Sequence, residues 1–495
     1  MIRVLTASAL TSLILITPAQ AQESSGDGST INYPAEYFAE YTPLTVNDML
    51  DRVPGIDLIL NTGGPNADGD RGLGGSSNIL IDGKRLAGKA NEARAQLDRI
   101  SAGQVRHIEI VRGTSSELDV QNSGQLVNIV LLESLSQSNL TTEVSARHYE
   151  DGTVDPGFSL AWSGQSGSLN YLLSGSMSPA YQHTLSVENA VNGDFSPHEE
   201  IVFDRFRDQT DYSLNANLTW DLANNQRLAL NALFNENDPD TSLIRRLTNL
   251  DTGVPLIAFE REAIPGTASD WELGADYERG LAGGSRLKAL LIVNEKQTAS
   301  TRERFTSTSI GGAETKNLFL DTGSRYRERI ARGSYTFSIA EGQGLELGAE
   351  VAQTIQDSNL KLGVLTGGPG SPEFGGLTPV AFSNADSSVE ELRIEPFAIH
   401  NWRINPRMSL ESSVVGEYSE IEQSGDVNAK RDFSYLKPKF DFRFDLSSTL
   451  QLSATLEQFV SQLSFADFSR SSNEEDDDEN TKAGNPTLEP EESIR

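Results

Sequence analysis

The feature that most constrains this chain is an alternation of polar and apolar side chains that begins near residue 139. In residues 212–220 the odd positions are polar, and the even positions are Tyr212, Leu214, Ala216, Leu218 and Trp220. Successive side chains of a β-strand point to opposite faces of a sheet, so this spacing gives one apolar and one polar face. The pattern predicts a sheet wall with aromatic residues at its rim.

Similar segments recur through residues 135–465, about 13 in number, with Gly, Asn, Asp and Pro between them. Lipid offers backbone groups no hydrogen-bond partner, so alternation with aromatic ends fits an antiparallel transmembrane β-barrel. A soluble β-sandwich or β-solenoid alternates too and is the alternative. No later stretch of 18 or more apolar residues exists, which excludes a helical membrane protein.

The connections between these segments alternate in length. Compact turns are expected at residues 223–226 and 280–285, whereas long polar insertions are expected at 238–259, 300–316 and 357–386. Outer-membrane barrels have short periplasmic turns and longer outer loops. This alternation therefore predicts the side of a membrane on which each connection lies.

Residues 45–132, which precede the alternating part, have a different sequence pattern. Thr45 is a candidate helix N-cap, and Pro54 with Gly55 ends the segment that it begins. Between them one helical face is apolar, formed by Val46, Met49, Leu50 and Val53. A short amphipathic helix is predicted here.

Short apolar strands and Gly-rich turns follow this helix. Strands are predicted at residues 56–60, 78–83, 106–113 and 126–132, and a polar helical segment at 91–99. The pieces of interest, in order, are Asp48-Met49-Leu50 with Val53-Pro54-Gly55, Arg71-Gly72, Leu80-Ile81-Asp82-Gly83, Ile108-Glu109-Ile110-Val111-Arg112-Gly113 and Val127-Asn128-Ile129-Val130.

This succession resembles the plug domain of TonB-dependent outer-membrane receptors. Each piece alone is common, whereas five in the family's order within about 90 residues are specific. The resemblance implies an α+β plug domain at residues 45–134, followed by an antiparallel transmembrane β-barrel at residues 135–465.

The first 21 residues have the composition of a signal peptide. Arg3 supplies the positive start, residues 4–16 are mostly apolar, and Ala19-Gln20-Ala21 is an A-x-A cleavage signal. The mature chain is expected to begin at Gln22, outside the cytoplasm. A buried N-terminal helix is the alternative.

Residues 22–44 form a polar leader. In the family, an extended segment ahead of the plug pairs as an added β-strand with TonB, which an inner-membrane complex energises. The resemblance gives this role to Thr30, Ile31, Asn32 and Tyr33, although the family's usual Thr/Val-rich box is not evident there.

Ligand binding is expected at the plug's outward loop, residues 61–77, together with polar side chains on the inner face of the barrel. The candidate ligand-binding side chains in this Gly-rich loop are Asn66, Asp68, Asp70 and Arg71. The alternative is structural, because Asp70 and Arg71 could instead hold the plug to the barrel wall.

A second set of plug residues lies on the predicted strand at 106–113. Arg106, Glu109 and Arg112 are expected to form ion pairs between plug and barrel, since the family buries this strand against the wall.

Composition narrows the classes of function. The chain has 40 basic and 71 acidic residues, a net charge of −31, which argues against a nucleic-acid partner. The five His show no metal-ligand spacing, and no P-loop, dinucleotide fingerprint or nucleophile elbow is present. The acidic run at 474–479 could attract Ca²⁺, but it lacks the Gly and the spaced ligands of a defined site and is interpreted as a solvated loop. No cofactor and no catalytic residue is predicted.

The C-terminal part differs from the family pattern. Barrels of plugged outer-membrane transporters have 22 strands, against about 13 expected here. Residues 484–491 resemble a family sequence that enters a strand from an outer loop. We therefore expect residues 466–495 to form an acidic outer loop and the start of the next strand of a truncated barrel.

Taken together, these features predict a TonB-dependent importer of a scarce, large solute, siderophore-like or other, in the outer membrane of a Gram-negative bacterium. Its expected partners are TonB, outer-membrane lipid and an extracellular solute, and it is not expected to be an enzyme. The alternatives are a surface-exposed binding or adhesion protein without active transport, and a nonfunctional receptor fragment.

Overall fold

The computed structural model describes most of the chain from residue 30 onward. Its described residues are 30–43, 45–53, 79–81, 84–85, 97, 100, 102–112, 125–132, 138–222, 225–251, 255–382, 385–405, 407–446, 450–468, 471–472, 481–482, 484–485 and 487–495. The predicted signal peptide, the strand at 56–60, the loop at 61–77, most of the helical segment at 91–99 and the acidic run at 474–479 lie outside them.

The front of the chain forms a small α+β unit, as predicted. Its five-stranded sheet has the order β1-β4-β5-β2-β3, in which β2 and β5 are parallel and the other neighbours antiparallel. The elements are β1 Thr30–Pro34, α1 Ala35–Phe38, α2 Val46–Leu50, β2 Ile79–Ile81, β3 Lys84–Arg85, β4 Val105–Arg112 and β5 Gln125–Leu131. One-turn 3₁₀ segments lie at Ala39–Tyr41 and Ala102–Gln104.

Helix α2 begins where the sequence predicts. The Thr45 hydroxyl accepts a hydrogen bond from the Asp48 amide, and the Asp48 carboxylate accepts one from the Thr45 amide, which is a reciprocal cap. The apolar face of α2 is buried against β2, β4 and β5. The wall residue Leu172 packs against the same core, so the α+β unit lies against the strand wall.

The rest of the chain is a wall of long antiparallel strands. In chain order these are β6 Asn139–His148, β7 Val154–Ser166, β8 Leu169–Val191, β9 Pro197–Leu222, β10 Gln226–Asn237, β11 Asp240–Asn249, β12 Leu256–Ile264, β13 Gly266–Gly280, β14 Arg286–Ser307, β15 Thr315–Ala340, β16 Gln343–Val364, β17 Thr378–Val380, β18 Asp386–Asn405, β19 Met408–Gly425, β20 Ala429–Asp445 and β21 Gln451–Val460. Two short strands, β22 Ser471–Ser472 and β23 Thr481–Lys482, pair with each other, and β24 Glu492–Ile494 pairs with β21. Further 3₁₀ segments lie at Ala282–Gly284, Pro372–Phe374 and Phe465–Phe468.

Two of the long strands are each divided at a proline. Pro239 separates β10 from β11, and Pro265 separates β12 from β13. Proline has no N–H to donate to a ladder, so strand pairing breaks at these positions. Strand β9 nevertheless pairs with both β10 and β11, and β14 with both β12 and β13. With each divided pair counted once, the described wall has thirteen long strands, which confirms the expected number.

The strand registers follow chain order from β6 to β21, except around the two proline breaks, where strands β9 to β14 pair in a ring. Within the described residues, β6 pairs with β7 and β24 with β21, and no register joins β6 to β24. The wall is therefore an antiparallel sheet that ends at these two strands.

The connections lie alternately on two rims of the wall. One rim, here called the inner rim, carries the short connections 167–168, 223–225, 281–285, 341–342, 406–407 and 446–450. The opposite, outer rim carries 149–153, 192–196, 250–255, 308–314, 365–385, 426–428 and 461–491. The compact turn expected at 280–285 is confirmed, whereas residues 223–224 of the other expected turn lie outside the described residues.

Two of the long insertions expected from the sequence, 238–259 and 300–316, are mostly strand instead, whereas the third, 357–386, contains the long connection 365–385. Residues 238–259 contain β11 and the start of β12, 300–316 contain the end of β14, and 357–386 contain the end of β16. The expectation of loops was wrong for 238–259 and 300–316, where Asn, Asp and Pro suggested irregular structure. Pairing with long neighbouring strands, such as β11 with β9, keeps them extended.

Candidate functional site

The two faces of the wall have different chemistry. The outward face is apolar and exposed at residues such as Leu214, Leu273, Leu291, Leu436 and Leu456. The opposite, inward face buries polar and charged side chains, including Asn215, Glu272, Arg302, Glu328 and Arg393. This distribution is typical of a wall that faces lipid outside and encloses a polar interior.

Two ion-pair networks lie on the inward face. In the first, Arg302 donates to Glu262 through Nε and Nη2 at 2.7 and 2.9 Å, and Arg245 Nη1 donates to the same carboxylate at 3.1 Å. All three side chains are at most 4% exposed. A bidentate Arg–carboxylate pair is strong and geometrically specific, so this network holds β11, β12 and β14 together.

The second network crosses five neighbouring strands. Glu350 accepts from Arg332 at 3.4 Å and from Arg393 at 3.5 Å. Further along, Lys437 Nζ donates to Glu395 and Glu417, both at 2.6 Å. Most of these inward charges are thus paired within the wall itself.

The plug residues predicted to pair with the barrel lie on β4. Glu109 accepts a hydrogen bond from Asn128 Nδ2 at 2.7 Å and contacts His107 Nε2 at 2.9 Å, both within the plug sheet. The Arg106 side chain is exposed, and that of Arg112 lies outside the described residues. Ion pairing between plug and barrel by these residues stays a prediction.

The predicted TonB-interacting residues Thr30, Ile31, Asn32 and Tyr33 form most of β1. This strand is an edge of the plug sheet and pairs with β4 along its full length. Tyr33 is buried, and Ile31 packs against the plug core. The segment is therefore already in the extended form that strand addition requires.

The predicted ligand-binding residues Asn66, Asp68, Asp70 and Arg71 lie in the loop at 61–77, outside the described residues. Their role stays a prediction.

A cavity of about 730 Å³ lies on the inward face, towards the outer rim. It is bounded by strands from β9 to β16 and by Ala466. Many of its lining side chains are amides and hydroxyls, among them Gln209, Thr298, Ser324 and Gln356. A cavity of this size and polarity suits a sizeable polar solute.

The charges that line the cavity are predominantly basic. Arg205, Arg207, Arg245 and Lys296 line it, against the acidic Glu236 and Asp270. Some of these groups are engaged, since Arg245 is bound to Glu262 and Asp270 accepts from Asn235 Nδ2.

Arg207 is the lining residue with the clearest unused hydrogen-bonding capacity. Its Nε is buried, and within the described structure that atom has no hydrogen-bond partner. In a chain with a net charge of −31, the lining of this cavity is therefore locally basic.

The segment from Ser461 to Phe468 folds into the interior beside the cavity. Leu463, Phe465 and Phe468 pack against the inward residues Val389 and Ile421. Gln423 Nε2 donates to the Phe468 carbonyl at 3.2 Å. The adjoining Ala466 can then form part of the cavity boundary.

The outer hairpin tips carry polar networks of their own. His198 Nδ1 contacts Asp251 at 2.8 Å, and Asn192 Nδ2 donates to the same carboxylate at 3.0 Å. These two contacts hold the pKa of Asp251 below its usual range. At the neighbouring tip, hydrogen bonds from Ser196 lower the pKa of Asp194.

The cavity was not predicted from the sequence. Its lining residues on β9 follow the odd positions Phe203, Arg205, Arg207 and Gln209, and that alternation was the available signal. Among the described residues, no group of three His, Cys, Asp or Glu could hold a metal ion. None of the described helices has the length and apolarity needed to cross a lipid bilayer.

Comparison with known proteins gives the class of the chain. Residues 22–124 match the family model of the TonB-dependent receptor plug domain. This match identifies residues 22–124 as a TonB-dependent receptor plug domain. A plug domain followed by an antiparallel wall with an apolar outward face is the arrangement expected of plugged outer-membrane receptors.

The chain also resembles solved receptor structures at low identity. The siderophore receptor PiuA from Acinetobacter baumannii is 12% identical, with a TM-score of 0.46 over 94% of this chain and 68% of that one. The Serratia marcescens hemophore receptor HasR, in complex with its hemophore HasA and heme, gives the same values. The ferric preacinetobactin receptor BauA from Acinetobacter baumannii is 11% identical, with a TM-score of 0.40 over 94% and 67%. No curated protein sequence matches the chain.

Proposed function

We propose that this receptor lies in the outer membrane and takes up a large polar solute that carries an anionic group. The observation that carries the proposal is the cavity on the inward face, whose basic residues contrast with the acidity of the whole chain. Its position near the outer rim makes it accessible from the cell exterior. The plug beneath it then separates bound solute from the periplasm.

Transport follows from this arrangement in three steps. The solute binds in the cavity on the inward face. TonB pairs with β1 and pulls on the plug, and the solute then passes between plug and wall. No covalent bond is made or broken, so the protein is not an enzyme.

The cavity is tested by two matched substitutions on one strand. Lys296 and Lys288 both occupy even, inward positions of β14, but of the two only Lys296 lines the cavity. Binding of a ferric siderophore, cobalamin and a maltodextrin to the purified protein is measured by calorimetry. We expect Lys296→Gln to weaken binding of an anionic probe about tenfold, because it removes a charged donor from the cavity, and Lys288→Gln to leave binding unchanged.

Equal weakening by both changes, or no binding of any anionic probe, would count against this assignment of the cavity.

A surface-exposed binding protein without transport is the second candidate. It is favoured by the position of β1, which is held in the plug sheet rather than free. Binding of the purified periplasmic domain of TonB to the intact protein separates the two functions, because only the importer requires it.

A further inference from the structure

Three arginines follow one another on the outward face of β15. Arg325, Arg327 and Arg329 occupy alternate positions, so their side chains share this face. The intervening Glu328 and the following Ile330 point inward and are at most 2% exposed. The three arginines therefore belong to the outer surface of the wall and not to its interior.

The strand registers place Arg329 at the edge of the apolar outward surface. Residues that are directly opposite one another on neighbouring strands form a row across the sheet. In its row, Arg329 is opposite Val293 of β14 on one side and Gln353 of β16 on the other, and Gln353 is opposite Leu392 of β18. Val293 and Leu392 are exposed apolar residues. Arg329 is thus level with the last apolar residues on this side of the wall.

The row nearer the inner rim is entirely apolar. It contains Leu291, Ala331, Val351 and Ile394, and the three larger side chains are 39–57% exposed. A surface of this kind is suited to contact with acyl chains. The arginines begin where it ends and continue towards the outer rim.

Arg327 Nη2 donates to Asp357, whereas Arg325 and Arg329 each keep donors free for a ligand. Arg329 Nη1 donates to the amide oxygen of Gln353 at 2.8 Å, and Gln353 in turn donates to Glu390. Arg325 Nη2 donates to Glu295 at 2.8 Å, with 47% of its side chain exposed. A guanidinium has five N–H donors, so one hydrogen bond to a neighbour leaves most of them available.

We propose that Arg325 and Arg329 bind the phosphate of a phosphorylated membrane lipid at the outer edge of the apolar band. Guanidinium groups recognise phosphate through parallel hydrogen bonds, and an arginine at a bilayer edge extends its charged end into the headgroup region. The adjoining row of Leu291, Val351 and Ile394 contacts the acyl chains of the same lipid. This inference rests on the proposed outer-membrane location.

The test compares matched pairs of arginines on the outward face. Native mass spectrometry of the purified protein measures binding of bisphosphorylated lipid A, of its dephosphorylated form and of inorganic phosphate. We expect Arg325→Gln with Arg329→Gln to weaken binding of the phosphorylated lipid about tenfold. The control, Arg246→Gln with Arg261→Gln, removes two exposed outward arginines that pair with Glu200 and Glu314. It should leave lipid binding unchanged.

Two outcomes would overturn the inference. One is equal binding of both lipid forms, or an equal loss in the control. The other is saturable binding of inorganic phosphate as tight as that of the lipid, which would indicate a site for free anions. Fractionation of wild-type cells is measured separately, so absence from the outer membrane would identify a failure of the proposed function instead.

Discussion

Glu262 and Glu314 show how differently two Glu–Arg pairs of the same wall are placed. Glu262 is 1% exposed and is shared by Arg302 and Arg245 on the inward face. Glu314 pairs with Arg261 on the outer surface, and both of these side chains are well exposed. Water and salt screen a surface pair, whereas a buried pair has no such alternative partner.

Replacing Glu262 by Ala should therefore destabilise the wall strongly. The change leaves two buried guanidinium groups without their shared carboxylate, and breaking a buried ion pair costs about 3–5 kcal/mol. Glu314→Ala is the control and should leave stability unchanged. The measurement is the urea concentration at the midpoint of unfolding in detergent, and unfolding is monitored by tryptophan fluorescence. Equal midpoints for the two variants would contradict the role given to Glu262.

Among the elements, those with local signals were predictable from the sequence. The Thr45 cap and the apolar spacing of α2 determine that helix within one turn, and the apolar runs of β4 and β5 are similarly local. Strand β1 was assigned only a partner-binding role, because a polar leader gives no sign that it pairs with β4. The cavity could not be predicted, since its residues meet only through the curvature of strands β9 to β16.

The pairing of β1 with β4 makes a prediction for TonB binding. Asn32 and Glu109 are directly opposite in this antiparallel pair, within disulfide reach, and the chain has no other cysteine to interfere. If TonB must take β1 from the plug sheet, oxidised Asn32→Cys/Glu109→Cys should not bind the TonB periplasmic domain. Reduction should restore binding to the level of the two single variants.

Binding is measured as the amount of each intact variant that the TonB periplasmic domain pulls down, before and after reduction. Unchanged binding by the oxidised double variant would mean that TonB contacts residues other than 30–33.

At the scale of the whole molecule, the net charge of −31 and the basic lining of the cavity belong to different parts of the protein. Acidic residues are abundant on the exposed hairpins, whereas the cavity concentrates Arg205, Arg207 and Lys296 on the inward face. Between the rims the outward face carries leucines and aromatic rings, and charged residues on it such as Arg325 and Arg329 lie towards the outer rim. Only an environment that is apolar around the wall and aqueous within it accommodates this distribution.

Neighbouring residues of β9 allow this orientation to be tested directly. Leu214 is 62% exposed on the outward face between Tyr212 and Trp220, while Ser213 faces inward. An arginine on the lipid face costs about 2–4 kcal/mol at the bilayer midplane and less towards its edges, whereas interior positions tolerate charge. Leu214→Arg should therefore lower the amount of protein recovered in the outer-membrane fraction on a sucrose gradient, and Ser213→Arg should not. The reverse order would mean that the apolar face of the wall does not meet lipid.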